Sequence, residues 1–260
     1  MTPETLLVGC GRLGGAILSG WMTTGAPAMS LVGIQSPSVK KISEQARAQG
    51  ASLNPTDLSG VKQVVLAVKP AKWPEVGEVL SEHLPTSAVV VSVMAGVSIS
   101  ALRAGLGGRA VARVMPTTAV SVGEGVATCL ATDAGADGAV ARLFGGIAEL
   151  VWVENEAMID VATALSGSGA AYAYAFVRDL AAAGERRGLT QEQALTLARR
   201  TVAGALARLA EGSEVQALID EVASPGGTTR AGLDVLEPGL GDLIDRTVEA
   251  ALSRARGLSR

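Results

Sequence analysis

The sequence predicts an α/β chain: a doubly wound, mostly parallel sheet over residues 1–154, followed by an all-helical part over residues 155–260. Three observations predict it. Short apolar runs alternate with helical patterns through the first half, which implies right-handed crossovers between parallel strands. A glycine-rich turn joins the first apolar run to the first helical pattern. After Glu154 no convincing strand pattern occurs.

The elements follow in order. Residues 5–9 read as a short buried strand. Leu13, Ile17, Leu18, Trp21 and Met22 recur at helical spacing over residues 12–24. Residues 31–34 are a second strand and 39–49 a polar amphipathic helix. Residues 64–68 form an apolar run ending at Lys69-Pro70, as expected of a buried parallel strand stopped by proline. A helix over 74–84, a strand over 88–93, a short helix over 100–105 and a strand over 110–115 follow. The last strand stops at Pro116. Then come a strand over 124–130, a helix over 136–148 and a final strand over 150–153. In the second part, Leu195, Ala198, Val202, Leu206 and Leu209 mark one face of a helix over 191–210. Thr190 is its N-cap, and Gln193 completes a capping box.

Composition bounds the function. The chain has 260 residues, 48% of them hydrophobic and 18% charged, which suits a packed protein of two domains. A net charge of −3 with no basic stripe argues against nucleic acid. Cys10 and Cys129 are far apart and in no metal-like spacing, which suits a reducing cytosol without a disulfide framework. The first residues lack the basic start and apolar stretch of a secretion signal. The most apolar later stretch, residues 161–177, is made largely of Ala, Gly and Ser and bounded by Asp160 and Arg178-Asp179. It is too short and too weakly apolar for a membrane span. Residues 170–183 are apolar nearly all round, which predicts a helix buried on every side. So small a helical part is expected to reach that burial by homo-oligomerisation, the alternative being that this helix packs against the first domain of its own chain.

The turn reads Gly9-Cys10-Gly11-Arg12-Leu13-Gly14, a G-x-G-x-x-G between strand and helix. Gly9 permits the tight turn, Gly11 lets a pyrophosphate approach the backbone, and Gly14 lets helix and strand pack closely. The helix start then offers N–H groups and a partial positive charge to phosphates. This is the dinucleotide fingerprint of a Rossmann-type sheet. An NAD site places Asp or Glu at the end of the second strand. Here that strand runs into Gln35-Ser36-Pro37-Ser38-Val39-Lys40-Lys41 with no acid. Ser36 and Ser38 can donate to a 2′-phosphate and Lys40 or Lys41 can supply charge, which favours NADPH, with NADH as the alternative. Ligands in such sheets sit beyond the carboxyl ends of strands. That singles out Ala67, Val68, Lys69 and Pro70 at one end and Ala95, Gly96 and Val97 at another.

Far along the chain, Ser224-Pro225-Gly226-Gly227-Thr228-Thr229 separates two helical stretches. Thr228 or Thr229 falls where the next helix begins. Such a start can hold a carboxylate through backbone N–H groups, and a threonine hydroxyl both donates and accepts. A plain N-cap would look the same in isolation.

Six stretches in fixed order carry a resemblance. They are GCGRLGGAIL at the start, AVKP (67–70), VVVSVMAGVSI (89–99), RVMPTTA (113–119), ALSGSGAAYAYAF (164–176) and SPGGTTRAGLDVLE (224–237). Over nearly its whole length the chain resembles pyrroline-5-carboxylate reductase. The resemblance implies a Rossmann domain (1–154) and a helical dimerisation domain (155–260), with dimers that assemble further, often into decamers. It implies cofactor contacts from the turn at 9–14, Ser36, Asn54, Ala67 to Pro70, and Ala95-Gly96. It implies a substrate site in Ser224, Gly226, Gly227, Thr228 and Thr229, formed between two subunits. The threonine matching Thr229 hydrogen-bonds the ring nitrogen and is the candidate for proton delivery.

The reaction implied is hydride transfer to the C=N bond of 1-pyrroline-5-carboxylate, giving L-proline. It asks little of the protein beyond alignment, anchoring of the carboxylate and a route for the proton. No His, Cys or paired carboxylate stands in a catalytic pattern, and no metal is expected. His83, the one histidine, is expected on the surface near a helix end. The family's Met-Pro-Asn-Thr-Pro is here Met115-Pro116-Thr117-Thr118-Ala119, and its Ser-Gly-Ser-x-Pro-Ala-Tyr has Ala170 for proline. These departures leave a related cyclic imine as an alternative substrate. A 3-hydroxyacid dehydrogenase would need a lysine in residues 164–177, which have none. A non-catalytic nucleotide-binding protein on the same fold would not need the loop at Ser224 to Thr229.

Overall fold

The computed structural model describes residues 2–36, 38, 40–209, 212 and 214–258. The chain divides into Met1–Gly167 with Leu252–Arg260, and Ser168–Ala251. Each unit is described by itself.

The first unit is built on a sheet of eight strands: β1 (Thr5–Val8), β2 (Val32–Gln35), β3 (Ser52–Leu53), β4 (Gln63–Leu66), β5 (Val89–Ser92), β6 (Val111–Pro116), β7 (Gly125–Ala131) and β8 (Ala148–Trp152). Their order is β3-β2-β1-β4-β5-β6-β7-β8. β1 lies between β2 and β4, with Thr5 level with Val32 on one side and Gln63 on the other. The order reverses there, and such a reversal opens a crevice at the carboxyl ends of the strands. All pairings are parallel except β6 with β7, which is antiparallel.

Alternate residues of each strand feed two cores. Leu7 and Val65 join Ile17, Leu18 and Trp21 of helix α1 (Arg12–Thr24) and Phe144 of α5 (Ala136–Phe144). Leu6, Val8, Val64 and Leu66 join Trp73 and Leu80 of α3 (Trp73–His83), Leu102 of α4 (Ile99–Gly105) and Ile159 of α6 (Glu156–Ala162). Helix α2 (Lys41–Ala48) adds Ala46 to the first core. Both faces are covered, which is why the central strands read as unbroken apolar runs. Each fully buried Leu, Ile or Phe side chain stabilises by about 1.5–3 kcal/mol. Polar atoms inside find partners. Trp21 Nε1 donates to the Leu143 carbonyl at 2.7 Å. The buried Arg109 guanidinium donates to the carbonyls of Pro85 (3.0 Å), Leu106 (2.6 Å), Ser81 (3.1 Å) and Leu84, closing the ends of α3 and α4.

Several boundaries differ from expectation. The helix expected over 136–148 ends at Phe144, with Gly145 as its C-cap; glycine weakens a helix, and after Gly145-Gly146 the chain enters β8 at Ala148. β3 is an added two-residue strand. The helix expected from residue 39 begins at Lys41; Val39 lies outside the described residues. Pro116 ends β6 inside the ladder, opposite Ala127 of β7. His83 is exposed, its Nδ1 2.8 Å from the Val79 carbonyl.

The second unit consists of α7 (Gly169–Glu185), α8 (Gln191–Leu209), α9 (Val215–Val222) and α10 (Thr228–Leu258), the last continuing past Ala251 with Pro238 inside it. The expected capping box is present: Gln193 N donates to Thr190 Oγ1 at 3.3 Å, and Thr190 N to Gln193 Oε1 at 3.0 Å. α7 and α8 meet through Ala181, Ala194 and Ala198. Within one chain α7 is not buried on every side: Tyr174 is 71% exposed and Phe176 50%. Leu197, Leu206, Val235 and Leu243 are exposed as well. Among the described residues, no helix is long and apolar enough to cross a membrane.

Candidate active site

The glycine turn packs as its spacing predicts. Gly9 has φ +97°, and a Cβ there would lie 2.5 Å from the Ala67 carbonyl oxygen. A Cβ on Gly14 would lie 2.2 Å from the Gly9 carbonyl oxygen and 3.1 Å from Ala67 Cβ. These two glycines let β1, β4 and α1 close on one another. Gly11 differs: a Cβ there would meet nothing within 4 Å. Gly11 is also the N-cap of α1 and makes no side-chain cap bond. The first N–H groups of a helix have no partner within it, so the turn presents donors and open space together.

That space is a cavity of about 690 Å³ in the first unit. Val8, Gly9, Cys10 and Gly11 form its floor, and Gln35, Ser36, Ser38, Lys40 and Asn54 one wall. Ala67, Val68 and Lys69 lie opposite, continued by Lys72, Glu75, Val76, Val79 and Leu80. Backbone bonds hold the floor: Gly9 N donates to the Gln35 carbonyl at 2.9 Å, and Ala67 N to the Val8 carbonyl at 2.8 Å.

Asn54 shapes the β2 wall. It takes φ +47°, a conformation Asn tolerates better than most residues. Its N–H donates to the Ile34 carbonyl at 2.8 Å, and its Oδ1 accepts from Ser36 N at 2.9 Å. Ser36 Oγ donates to the Ser38 carbonyl at 3.0 Å. Lys40 is the N-cap of α2, its N–H donating to Ser43 Oγ at 2.8 Å. Burial pushes the Cys10 thiol above its ordinary 9.0, against the pull of the Lys40 charge, so the floor stays neutral beside a cation. Pro37 lies outside the described residues.

Of the expected cofactor residues, Gly9, Cys10, Gly11, Ser36, Asn54, Ala67, Val68 and Lys69 line this one cavity. Arg12, Leu13 and Gly14 open α1 beside it, and Pro70 starts the 3-10 turn Pro70–Lys72. Ala95 and Gly96 follow β5, with Gly96 at φ +74°, and do not line the cavity. Sequence reasoning missed the wall from Lys72 to Leu80. Its signal was present, since Lys72, Glu75, Val76, Val79 and Leu80 share one helical face. The Lys72 to Glu75 pair at 3.2 Å is exposed and contributes little.

The residues from Ser224 to Thr229 belong to the second unit. Gly227 N donates to the Ser224 carbonyl at 3.0 Å, Gly226 has φ +74°, and Thr228 opens α10. Ser224, Gly226, Thr228 and Thr229 are exposed in the single chain. Of the departures, Thr117 Oγ1 accepts from Val126 N at 3.2 Å, tying it to β7. Ala119 sits in the 3-10 turn Thr118–Val122, and Ala170 in the first turn of α7.

Comparisons with known proteins reach both parts of the chain. Residues 156–258 match the family model for pyrroline-5-carboxylate reductase dimerisation. Residues 5–96 match that for NADP oxidoreductase, coenzyme F420-dependent. The pyrroline-5-carboxylate reductase of Pseudomonas aeruginosa is 31% identical, over 99% of this chain and 97% of that one. That of Pisum sativum is 34% identical, over 97% and 94%. Among solved structures, the Coxiella burnetii pyrroline-5-carboxylate reductase has a TM-score of 0.90 at 30% identity, covering 100% of both chains. The Plasmodium falciparum pyrroline carboxylate reductase, solved with NADP bound, has 0.85 at 25%, covering 99% and 98%. Likeness at this level runs through the sheet with its open glycine turn and on through the helices, so the chain belongs to the pyrroline-5-carboxylate reductase family.

Proposed function

We infer that the chain carries out its family's reaction: hydride transfer to the C=N bond of 1-pyrroline-5-carboxylate, giving L-proline, with NADPH as preferred donor. The family consists of NAD(P)H-dependent oxidoreductases of proline biosynthesis. The observation that carries the reading is the cavity over Gly11, where the structure leaves room for a pyrophosphate and the β2 wall has Ser36, Ser38 and Lys40 in place of an acid. The dinucleotide, when bound, supplies the hydride. The protein's own part is to bind and orient. The start of α1 would hold the pyrophosphate. Ser36, Ser38 and Lys40 would hold the 2′-phosphate through charge-assisted hydrogen bonds. The first turn of α10 would hold the substrate carboxylate, with Ser224, Gly226 and Gly227 shaping the turn, and the Thr229 hydroxyl would serve the ring nitrogen.

The helical part matches a dimerisation domain, and the exposed Tyr174, Phe176, Leu197 and Val235 are the apolar surface a partner subunit would cover. We extend this to dimers that assemble into decamers, with the substrate site formed between subunits. Residues 155–260 then act as the dimerisation and substrate-site domain, and 1–154 as the dinucleotide-binding domain. A cytosolic location fits two cysteines that are buried and free.

The test is oxidation of NADPH by purified protein with pyrroline-5-carboxylate, with NADH alongside. Saturable oxidation, faster with NADPH, is expected. Tight NADPH binding without oxidation would shift the reading to a related cyclic imine. One observation favours that second substrate class: the Thr117 hydroxyl, where the family has Asn, is engaged by Val126.

A further inference from the structure

β6 is buried along its whole length, yet its third residue is an arginine. Arg113 lies on the same face of β6 as Val111 and Met115, which join the core that also holds Leu102 of α4 and Ile159 of α6. Its side chain is 6% exposed. A charge in such a place is costly unless it meets an opposite charge and hydrogen bonds. Glu156, the first residue of α6, supplies them: Arg113 Nη1 donates to Glu156 Oε1 at 2.8 Å. The same carboxylate oxygen accepts the backbone N–H of Ile99 at 2.9 Å. One oxygen therefore holds β6 and the start of α4 together.

The position of this brace matters. Arg113 is level with Ser92, the last residue of β5. Beyond that level β5 runs into residues 93–98, which include Ala95 and Gly96, and β6 runs on to Met115, Pro116 and Thr117. Gly9 and Ala67 hold the corresponding places beyond β1 and β4. These carboxyl ends are where open α/β sheets bind ligands. Glu156 ties two of them together, away from the Gly11 cavity that suits the adenosine half and the pyrophosphate.

We propose that Glu156, clamped by Arg113, is a positioning residue for the nicotinamide half of the cofactor: it fixes the loop carrying Ala95 and Gly96 against the end of β6, and so sets the wall that aligns the reacting ring. Neither side chain has to touch the cofactor. The proposal rests on the reductase reading above. It predicts that the two halves of the cofactor respond differently when the brace is loosened.

The test compares wild type, Glu156→Gln and Glu156→Asp as full chains. Glutamine keeps an acceptor of the same reach and removes the charge, whereas aspartate keeps the charge and shortens the reach. Three quantities are read: kcat with NADPH and pyrroline-5-carboxylate, the nicotinamide fluorescence of bound NADPH, and the affinity for adenosine 2′,5′-bisphosphate, which lacks the nicotinamide. For Glu156→Gln we expect kcat to fall about tenfold to a hundredfold, as small misplacements of reacting groups do. We expect bound NADPH to show an altered emission, and the bisphosphate affinity to stay within about twofold, since distant sites act independently. Glu156→Asp should recover part of the kcat. Thermal melts identify a variant that fails to fold, in which case the remaining variant carries the comparison. Wild-type kcat and emission in a folded variant would overturn the proposal. So would an equal loss of bisphosphate affinity, which marks a general loosening of the fold. Should wild type itself show no turnover, the reductase reading fails alone, and the emission comparison still decides the role of Glu156.

Discussion

Gly11→Ala separates binding from folding. Gly11 sits at φ −78°, ψ −154°, extended backbone with a negative φ, outside the left-handed region that favours glycine. Its added methyl would meet no protein atom within 4 Å. Two small effects on stability oppose each other. Alanine narrows the unfolded ensemble, worth roughly 0.4–1 kcal/mol. It is also a poorer N-cap than glycine, at a cost of about 0.5–1 kcal/mol. The net change should lie within about 1 kcal/mol of zero. The same methyl stands in the space left for the pyrophosphate. Forcing one extra carbon into a fitted site costs about 1–3 kcal/mol, a loss of roughly 5- to 150-fold in affinity. Gly14→Ala is the control of opposite sign, because its Cβ would collide with the Gly9 carbonyl oxygen at 2.2 Å and should destabilise the fold by at least about 1–3 kcal/mol. Urea denaturation and NADPH titration on both variants read the two effects apart. A Gly11→Ala protein that binds NADPH as wild type does would show that the pyrophosphate does not lie over Gly11, and the reasoning would fail.

Thr229→Ala should lower kcat strongly while NADPH affinity stays near wild type; unchanged turnover removes Thr229 from the mechanism. Arg109→Met would leave four carbonyls without their buried cation and should cost about 3–5 kcal/mol in urea denaturation; a loss under about 1 kcal/mol would refute the capping role. Burial pushes the Cys129 thiol up from 9.0 to about 12. The folded state holds that proton more tightly, so its contribution is complete below pH 9 and is lost as pH rises toward 12. The loss is up to about 4 kcal/mol. The fall in stability above pH 9 should be shallower in Cys129→Ala than in wild type, and parallel slopes would show that Cys129 does not titrate in this way.

What the sequence displayed best was chemistry confined to neighbouring residues. The glycine turn and the Thr190 to Gln193 capping box each depend on a few adjacent side chains, and each is found where its spacing placed it, whereas the strand expected to run to Lys69-Pro70 already ends at Leu66. Direction and edges were harder. Alternation of apolar residues says that β7 is a strand but not which way it runs. The clue lay in the connection, since residues 117–124 are too few for a parallel crossover. β3 is too short to show any period, and it forms because Gly33 and Ile34 stand beside Ser52 and Leu53. In the site, the far wall of the cavity escaped notice because helix α3 exposes one face of itself to it, and which face that is depends on how Trp73 and Leu80 dock below. Glu156 was illegible for a related reason. Its partners, Ile99 and Arg113, lie far from it in the chain, and an arginine in a buried strand looks anomalous until its acid is found.

The two ends of the strand order are unequal. At one end β3 offers two residues with Pro55 close behind, a stub with little backbone left to template another chain. At the other, β8 runs for five residues and leaves Val151 and Trp152 44% and 46% exposed, with Glu149 as its one charge. Self-association through misplaced strand addition, the hazard of any bare edge, should therefore begin at β8 and spare β3.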